Sequence, residues 1–278
     1  NNNIKMLNQN EIDDIINNSD VLKKIKENNN KIYLLSFGND RFYGGLERIK
    51  IQGNKFKFFD EIVIVTDKDL KNNPEYHEFW DKHKDFMENN KRGYGYWIWK
   101  SHIIQNLMNK INYNDIILYV DAGCNLNVNG IKRMIEYIDL VNSSEYGILA
   151  FQLYHHLEKT WTKMDLFKYF NCINEQTLNT RQMISGAIFI KKCKHTEELI
   201  EKWRIANTIY HLVSDEPSIL QNDQAFKENR HDQSIFSLLI KTMGGSFIDD
   251  ETYTIPFLYE SINLPIWATR DTSNKKLI

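Results

Sequence analysis

Apolar runs without polar gaps alternate along this chain with apolar residues at helical spacing. Lys31 to Gly38 (Lys-Ile-Tyr-Leu-Leu-Ser-Phe-Gly) and Ile62 to Thr66, which ends in Asp67, are runs of the first kind and predict strands. A helix is expected between them, around Arg41 to Asn54, and strand–helix–strand order argues for a parallel sheet. Ile116 to Val120 is a third run, too short for a helix core and rich in β-branched and aromatic types, so it predicts a strand buried on both faces. Before residue 31, Ile12, Ile15, Ile16, Leu22 and Ile25 recur at helical spacing and predict amphipathic helices on the outside of the domain, after about ten loose residues.

The remaining elements follow the same two rhythms. Tyr76, Phe79, Trp80, His83 and Phe86 mark a helix over 75–90 that serves packing. Ile103, Ile104, Leu107, Met108 and Ile111 mark another, leading into the third strand, and Ile131, Met134, Ile135 and Ile138 one beyond it. Strands are expected at Gly147–Leu153, Ser185–Ile190 and Ser246–Ile248, and helices from Thr196 to about Tyr210 and through Ile235, Phe236, Leu238, Leu239 and Ile240. Residues 154–182 show no clear period and are expected to form a substrate-binding loop region. The tail with Pro256, Pro265, Trp267 and Arg270 is expected along the surface. No repeat or linker divides the chain, so a helical extension over 1–30 and one domain over 31–278 are expected.

Composition narrows the partners. The 278 residues are 42% hydrophobic, ample for one large core or two modest ones, and 35 basic against 37 acidic residues leave a net charge of -2. That balance supplies no field for nucleic acid or an anionic membrane. Cys124, Cys172 and Cys193 form neither a zinc pair nor a disulfide framework, which points to a reducing compartment. No apolar run approaches the roughly 20 residues of a membrane helix, so a soluble, cytoplasmic-type protein is expected, with a removed anchor left open. Asn17-Asn18-Ser19 and Asn142-Ser143-Ser144 fit a glycosylation sequon, as chance allows in so Asn-rich a chain.

The candidate chemistry gathers at three places. Asp121 follows the third strand, where open α/β sheets bind ligands, and Ala122 and Gly123 let a ligand approach the backbone. An aspartate that merely caps a turn would look alike. Arg92-Gly93-Tyr94-Gly95-Tyr96-Trp97-Ile98-Trp99-Lys100 combines aromatic faces that can stack a base with cations that can meet phosphates, although such stretches also serve as core. Asn229-Arg230-His231-Asp232-Gln233-Ser234 opens a helix with more functional side chains than an N-cap requires. Other motifs fail: His77-Glu78 meets Asp81 where a zinc protease has its second histidine, and Gly93-x-Gly95 is followed by Ile98 where a dinucleotide fingerprint has glycine. The adjacent His155 and His156 are unsuited to share a metal.

At Arg92–Lys100, Ile116–Cys124 and His231–Ser237 the chain resembles nucleotide-sugar-dependent glycosyltransferases of the GT-A fold, over roughly residues 31–270. It is closest to a subgroup with Gly-Tyr-Trp-x-Trp-Lys, Leu-Tyr-x-Asp-Ala-Gly and His-Asp-Gln-Ser in that order. The resemblance implies a single Rossmann-like α/β domain with a mainly parallel central sheet flanked by helices. It implies transfer of a hexose or N-acetylhexosamine from a UDP-sugar to a hydroxyl of a glycan or protein acceptor. Carried over, Ser36, Phe37 and Gly38, with Arg41 nearby and Asp67, would hold the nucleoside. Arg92, Tyr96 and Lys100 would lie by the nucleotide, and Asp121, Ala122 and Gly123 by ribose and diphosphate. His231 and Asp232 would be catalytic, Asp232 as the carboxylate that deprotonates the acceptor, with Gln233 under the sugar.

Asp121 matches the first acid of the Asp-x-Asp signature that holds Mn²⁺ or Mg²⁺, but Gly123 stands at the second. Either His231 or Asp232 helps to hold a metal with Asp121, or Arg92, Lys100 and Arg270 replace it. Two other functions compete. A non-catalytic carbohydrate-binding protein on a degenerate glycosyltransferase fold would account for the tryptophans and the absent acid. A sugar-nucleotide pyrophosphorylase would need a glycine-rich loop after the first strand, where Ser36-Phe37-Gly38-Asn39-Asp40 has one glycine.

Overall fold

The computed structural model describes residues 4–274; the first three residues of the expected extension and the last four of the expected domain lie outside the described residues. The main sheet is built from β1 (Ile32–Gly38), β2 (Glu61–Thr66), β3 (Ile116–Val120), β5 (Ile148–Leu157), β6 (Arg181–Met183), β7 (Ala187–Lys191) and β8 (Ser246–Asp249). β1 lies between β2 and β3, parallel to both; β7 runs antiparallel between β3 and β5, and β8 runs parallel along β5. Five of the seven strands therefore point one way, with β6 and β7 reversed. Helices on both faces complete a Rossmann-like α/β architecture, as the alternating sequence rhythms imply.

Side-chain alternation along the strands sorts the core into two layers. Tyr33, Leu35, Ile117 and Tyr119 face one layer, with Ile104 and Trp203 from the helices Trp99–Met108 and Lys194–Asn207. Leu34, Ile116, Leu118 and Val120 face the other, with Ile49 and Met134 from the helices Tyr43–Asn54 and Ile131–Ser143. All five residues of β3 are buried, as expected of its unbroken apolar run. The same period places Asp121 on the face of Tyr119, toward the helix Trp99–Met108.

Four features differ from the sequence expectation. Chain tethering begins at Leu7, whose N–H donates to Asn129 Oδ1 at 2.7 Å, and a helix follows at Gln9–Asn17, so the loose start is shorter than ten residues. Residues 154–182 are not one irregular loop: β5 continues to Leu157, and short helices follow at Glu158–Trp161, Met164–Tyr169 and Glu175–Leu178 before β6. Helices of four to six residues span too few turns to show a period. The expected strand at Ser185–Ile190 starts later, at Ala187. Its neighbour β5 advances from Leu149 to Gln152 while the partner recedes from Phe189 to Met183; Ile184 N–H still donates to Phe151 O at 2.9 Å, and the chain bulges out of register at Ser185 and Gly186. Finally, the tail is not merely superficial: β9 (Ile266–Trp267) pairs antiparallel with β4 (Asn125–Leu126), and both its residues are buried.

Candidate active site

Three chain segments meet at the carboxyl ends of the parallel strands. Lys100, on the buried face of the helix Trp99–Met108, is only 1% exposed. Its ammonium lies 3.1 Å from Asp121 Oδ1 and 2.9 Å from Asp232 Oδ2, and it donates to the carbonyl and hydroxyl oxygens of Ser185, each at 3.2 Å. Tyr119 OH donates to Asp121 Oδ1 at 2.7 Å, and Ser185 Oγ to Asp232 Oδ2 at 2.8 Å. The bulge between β6 and β7 thus has a use: it carries Ser185 into the cluster, and Asp121 N–H donates to Gly186 O at 2.8 Å. A Cβ on Gly186 would stand 2.9 Å from Asp121 Oδ2, so the small residue leaves the carboxylate its space. Burial opposes the Lys100 charge, but the two carboxylates outweigh it and hold its pKa above the ordinary value. Burial likewise pushes Asp232 up against the pull of Lys100.

This cluster floors a cleft of about 800 Å³. Phe37, Tyr94, Trp97 and Trp99 line one wall, with Phe37 and Trp99 ring centres 4.0 Å apart. Six cations, Arg41, Lys91, Arg92, Lys100, Arg230 and Arg270, line it against three carboxylates, Asp121, Asp232 and Asp250. Since Lys100 already engages Asp121 and Asp232, the cleft as a whole favours an anion.

The aromatic wall rests on a left-handed turn. Gly93, Tyr94, Gly95, Tyr96 and Trp97 have φ of 59, 50, 86, 52 and 61° in succession. Left-handed backbone costs about 1–2 kcal/mol for each non-glycine residue. Packing offsets this: Trp99 Nε1 donates to Gly93 O at 3.0 Å, and Tyr96 stacks on His231 with ring centres 5.0 Å apart. Such clusters of strain concentrate at functional sites. His231 is a further case, at φ 58 and ψ -127 directly before the helix Asp232–Met243. It is 2% exposed, and its Nε2 lies 2.8 Å from Asp215 Oδ1. Burial lowers the imidazole pKa although Asp215 opposes it, so the ring is neutral near pH 7.

Of the residues singled out in the sequence, Phe37, Gly38, Arg41, Arg92, Lys100, Asp121, Ala122, Gly123, His231, Asp232 and Gln233 line the cleft. Three do not. Ser36 is buried inside β1 and its hydroxyl donates to Val120 O at 2.7 Å; Asp67 accepts from Tyr43 OH at 2.6 Å; Tyr96 stands behind His231. Gln233 accepts from Ser185 N–H at 3.2 Å and donates to Gln182 Oε1 at 2.8 Å. From the expected loop region, His156 lies at the cleft. Thr162 and Lys163 are buried elsewhere, Lys163 donating to the carbonyls of His211 and Glu216.

Two important side chains escaped the sequence reading. Arg48 is fully buried, and its Nη2 donates to the carbonyls of Ala122, Cys124 and Asp271 at 3.1, 2.8 and 2.9 Å, fastening the turn after Asp121 to the tail. Its clue was a charge between Leu46 and Ile49 on an apolar helix face. Asp215, which holds His231, lies in an irregular segment and gave no signal.

No family model matches the sequence, and no curated protein does. Among solved structures, a glycosyltransferase involved in the glycosylation of the major capsid of PBCV-1 is similar at 14% identity, covering 85% of this chain and 91% of its own, with a TM-score of 0.46. Mouse xyloside xylosyltransferase 1, in its apo form, is similar at 11% identity, covering 88% of this chain and 100% of its own, with a TM-score of 0.46.

The donor set does not fit a divalent cation. Among the described residues no three His, Cys, Asp or Glu side chains converge on one point. Asp121 Oδ1 is taken by Tyr119 and Lys100, Asp232 Oδ2 by Lys100 and Ser185, and an ammonium 3.1 Å from Asp121 repels a metal there. Hard cations want several oxygen ligands, and Asp121 Oδ2 offers one. No helix among the described residues is long and apolar enough to cross a membrane.

Proposed function

We propose that the chain is a GT-A-type glycosyltransferase that transfers a hexose or N-acetylhexosamine from a UDP-sugar to a hydroxyl of a glycan or protein acceptor. The observation that supports this best is the Lys100 bridge between Asp121 and Asp232, at the floor of a cationic, aromatic-walled cleft beyond the ends of the parallel strands. In this reading uracil stacks on the aromatic wall, Asp121 Oδ2 accepts from ribose hydroxyls, and the diphosphate lies among the arginines. The bond between the anomeric carbon and the β-phosphate oxygen breaks, and UDP leaves with that electron pair. The acceptor oxygen bonds to the anomeric carbon, and its proton passes to a base.

His231 is the group placed to take that proton. Asp215 holds Nε2, no hydrogen bond among the described residues engages Nδ1, and the side chain lines the cleft. A carboxylate that orients a histidine leaves the other nitrogen as base. Asp232, held by Lys100 and Ser185, is better suited to fix Lys100 and the bulge than to move protons.

The test is titration with UDP and assay of UDP release for the wild type and Asp121→Asn. UDP binding that weakens at least about tenfold, a loss of about 1.4 kcal/mol, with turnover abolished and the fold unchanged, supports the reading. Unchanged turnover rules it out, and a protein that binds sugars but ignores UDP is a carbohydrate-binding module.

A further inference from the structure

The glycine in place of the second acid and the tail that crosses it are physically linked. Asp271 N–H and Thr269 Oγ1 both donate to Gly123 O at 2.9 Å, so the tail is bonded directly to the turn after Asp121. A Cβ on Gly123 would lie 3.1 Å from Arg270 Cα, and a carboxylate side chain there would require the tail backbone to withdraw. Arg48 holds turn and tail together from beneath, through Ala122 O and Asp271 O. Arg270 therefore stands where the missing acid would have projected.

Arg270 itself is unusual. It adopts φ 56°, lines the cleft, and has no carboxylate partner among the described residues. A left-handed arginine is strained and persists only where its surroundings enforce it. Arg92 and Arg230 line the same cleft. Arg92 lies 3.2 Å from Asp215 and 3.4 Å from Glu228, and Arg230 shares Glu228 at 3.3 Å while resting 4.3 Å over the Trp161 ring. Burial above all, and then the charges of Arg270 and Arg92, hold the Arg230 guanidinium below its ordinary pKa although Glu228 opposes them. Like charges gathered around one cavity repel, and a bound anion relieves the repulsion.

Building on the nucleotide-sugar reading, we propose that Arg270, with Arg92 and Arg230, replaces a divalent cation at the donor diphosphate, and that residue 123 is glycine because the tail bearing Arg270 lies on it. Guanidinium groups offer planar paired donors matched to phosphate oxygens. Because these cations belong to the fold, donor binding does not depend on free metal.

Calorimetric titration of the whole chain with UDP and with uridine, first in EDTA and then with Mn²⁺, tests this. UDP is expected to bind in EDTA within about threefold of its affinity with Mn²⁺. Arg270→Gln should weaken UDP in EDTA by at least about tenfold while leaving uridine and the thermal midpoint unchanged, and Arg270→Lys should fall between. UDP binding that vanishes in EDTA and returns with Mn²⁺ overturns the proposal but leaves the nucleotide reading standing. So does UDP binding by Arg270→Gln equal to that of the wild type. If neither UDP nor uridine binds in either buffer, the nucleotide reading fails and the proposal with it.

Discussion

Replacing Lys100 by Met would leave the carboxylates of Asp121 and Asp232 facing each other, one of them fully buried, without a counter-charge. Breaking a buried ion pair by removing one partner costs about 3–5 kcal/mol, so Lys100→Met should lower unfolding stability by that order in a urea titration. Adding Asp232→Asn to the same variant removes the uncompensated charge and should recover part of the loss, whereas an additive result would show that Lys100 and Asp232 act independently. His231 gives a prediction in pH. Burial lowers its pKa, so the neutral base is present through neutrality and is lost only on acidification beneath the ordinary value of 6.5. The acid limb of a turnover profile should therefore lie below pH 6.5, and Asp215→Asn, which removes the group opposing that shift, should weaken turnover and move the limb to lower pH still. Asp121 and Lys100 were legible because each is a polar residue at the end of an apolar run, and His231 because it stands in a polar cluster that opens a helix. Asp215 was not, since its partnership with His231 exists only in three dimensions.

Among the elements, the left-handed turn Gly93–Trp97 carries backbone strain. A Cβ at Gly95 would meet Met87 Cγ at 2.7 Å, on a backbone at φ 86° that side chains rarely adopt. Gly95→Ala should thus destabilise the protein by about 1–3 kcal/mol and weaken UDP binding, because Tyr94 and Trp97 ride on the same turn. A thermal midpoint equal to that of the wild type would contradict the strained conformation. The sequence displayed the glycines and aromatics of this turn but not its handedness, because the positive φ values of Tyr94, Tyr96 and Trp97 are imposed by packing against their own propensity. β4 and β9 were also illegible: each is two residues long, and they are joined by ladder bonds between distant segments, with the buried guanidinium of Arg48 fastening the flanking Cys124 and Asp271 carbonyls.

Across the whole molecule the two apolar layers, the central strand and most of the helices were legible, because long buried elements impose their period on the sequence. The reversal of β7 was not, since an apolar run has no direction. His83 and His102, on the helices His77–Asn89 and Trp99–Met108, are pushed down to about 4 by burial, and both ring nitrogens of His102 lack hydrogen-bond partners among the described residues. The unfolded chain takes up these protons near the ordinary value of 6.5, whereas the folded chain waits until about 4. Stability should be complete above 6.5 and fall as pH drops from 6.5 toward 4, by up to about 1.4 kcal/mol per pH unit for each histidine. His102→Leu should remove one histidine's share of that slope and be neutral or stabilising near pH 7, as followed by thermal midpoints across the pH range.

Whether the cleft above Asp121 and Lys100 receives a nucleotide is decided by a crystal of the protein soaked with UDP. The predicted density shows uracil against Phe37, Tyr94, Trp97 and Trp99, ribose hydroxyls at Asp121, and the diphosphate among Arg92, Arg230 and Arg270. UDP bound at another surface, or no binding at all at saturating concentration, would contradict the account.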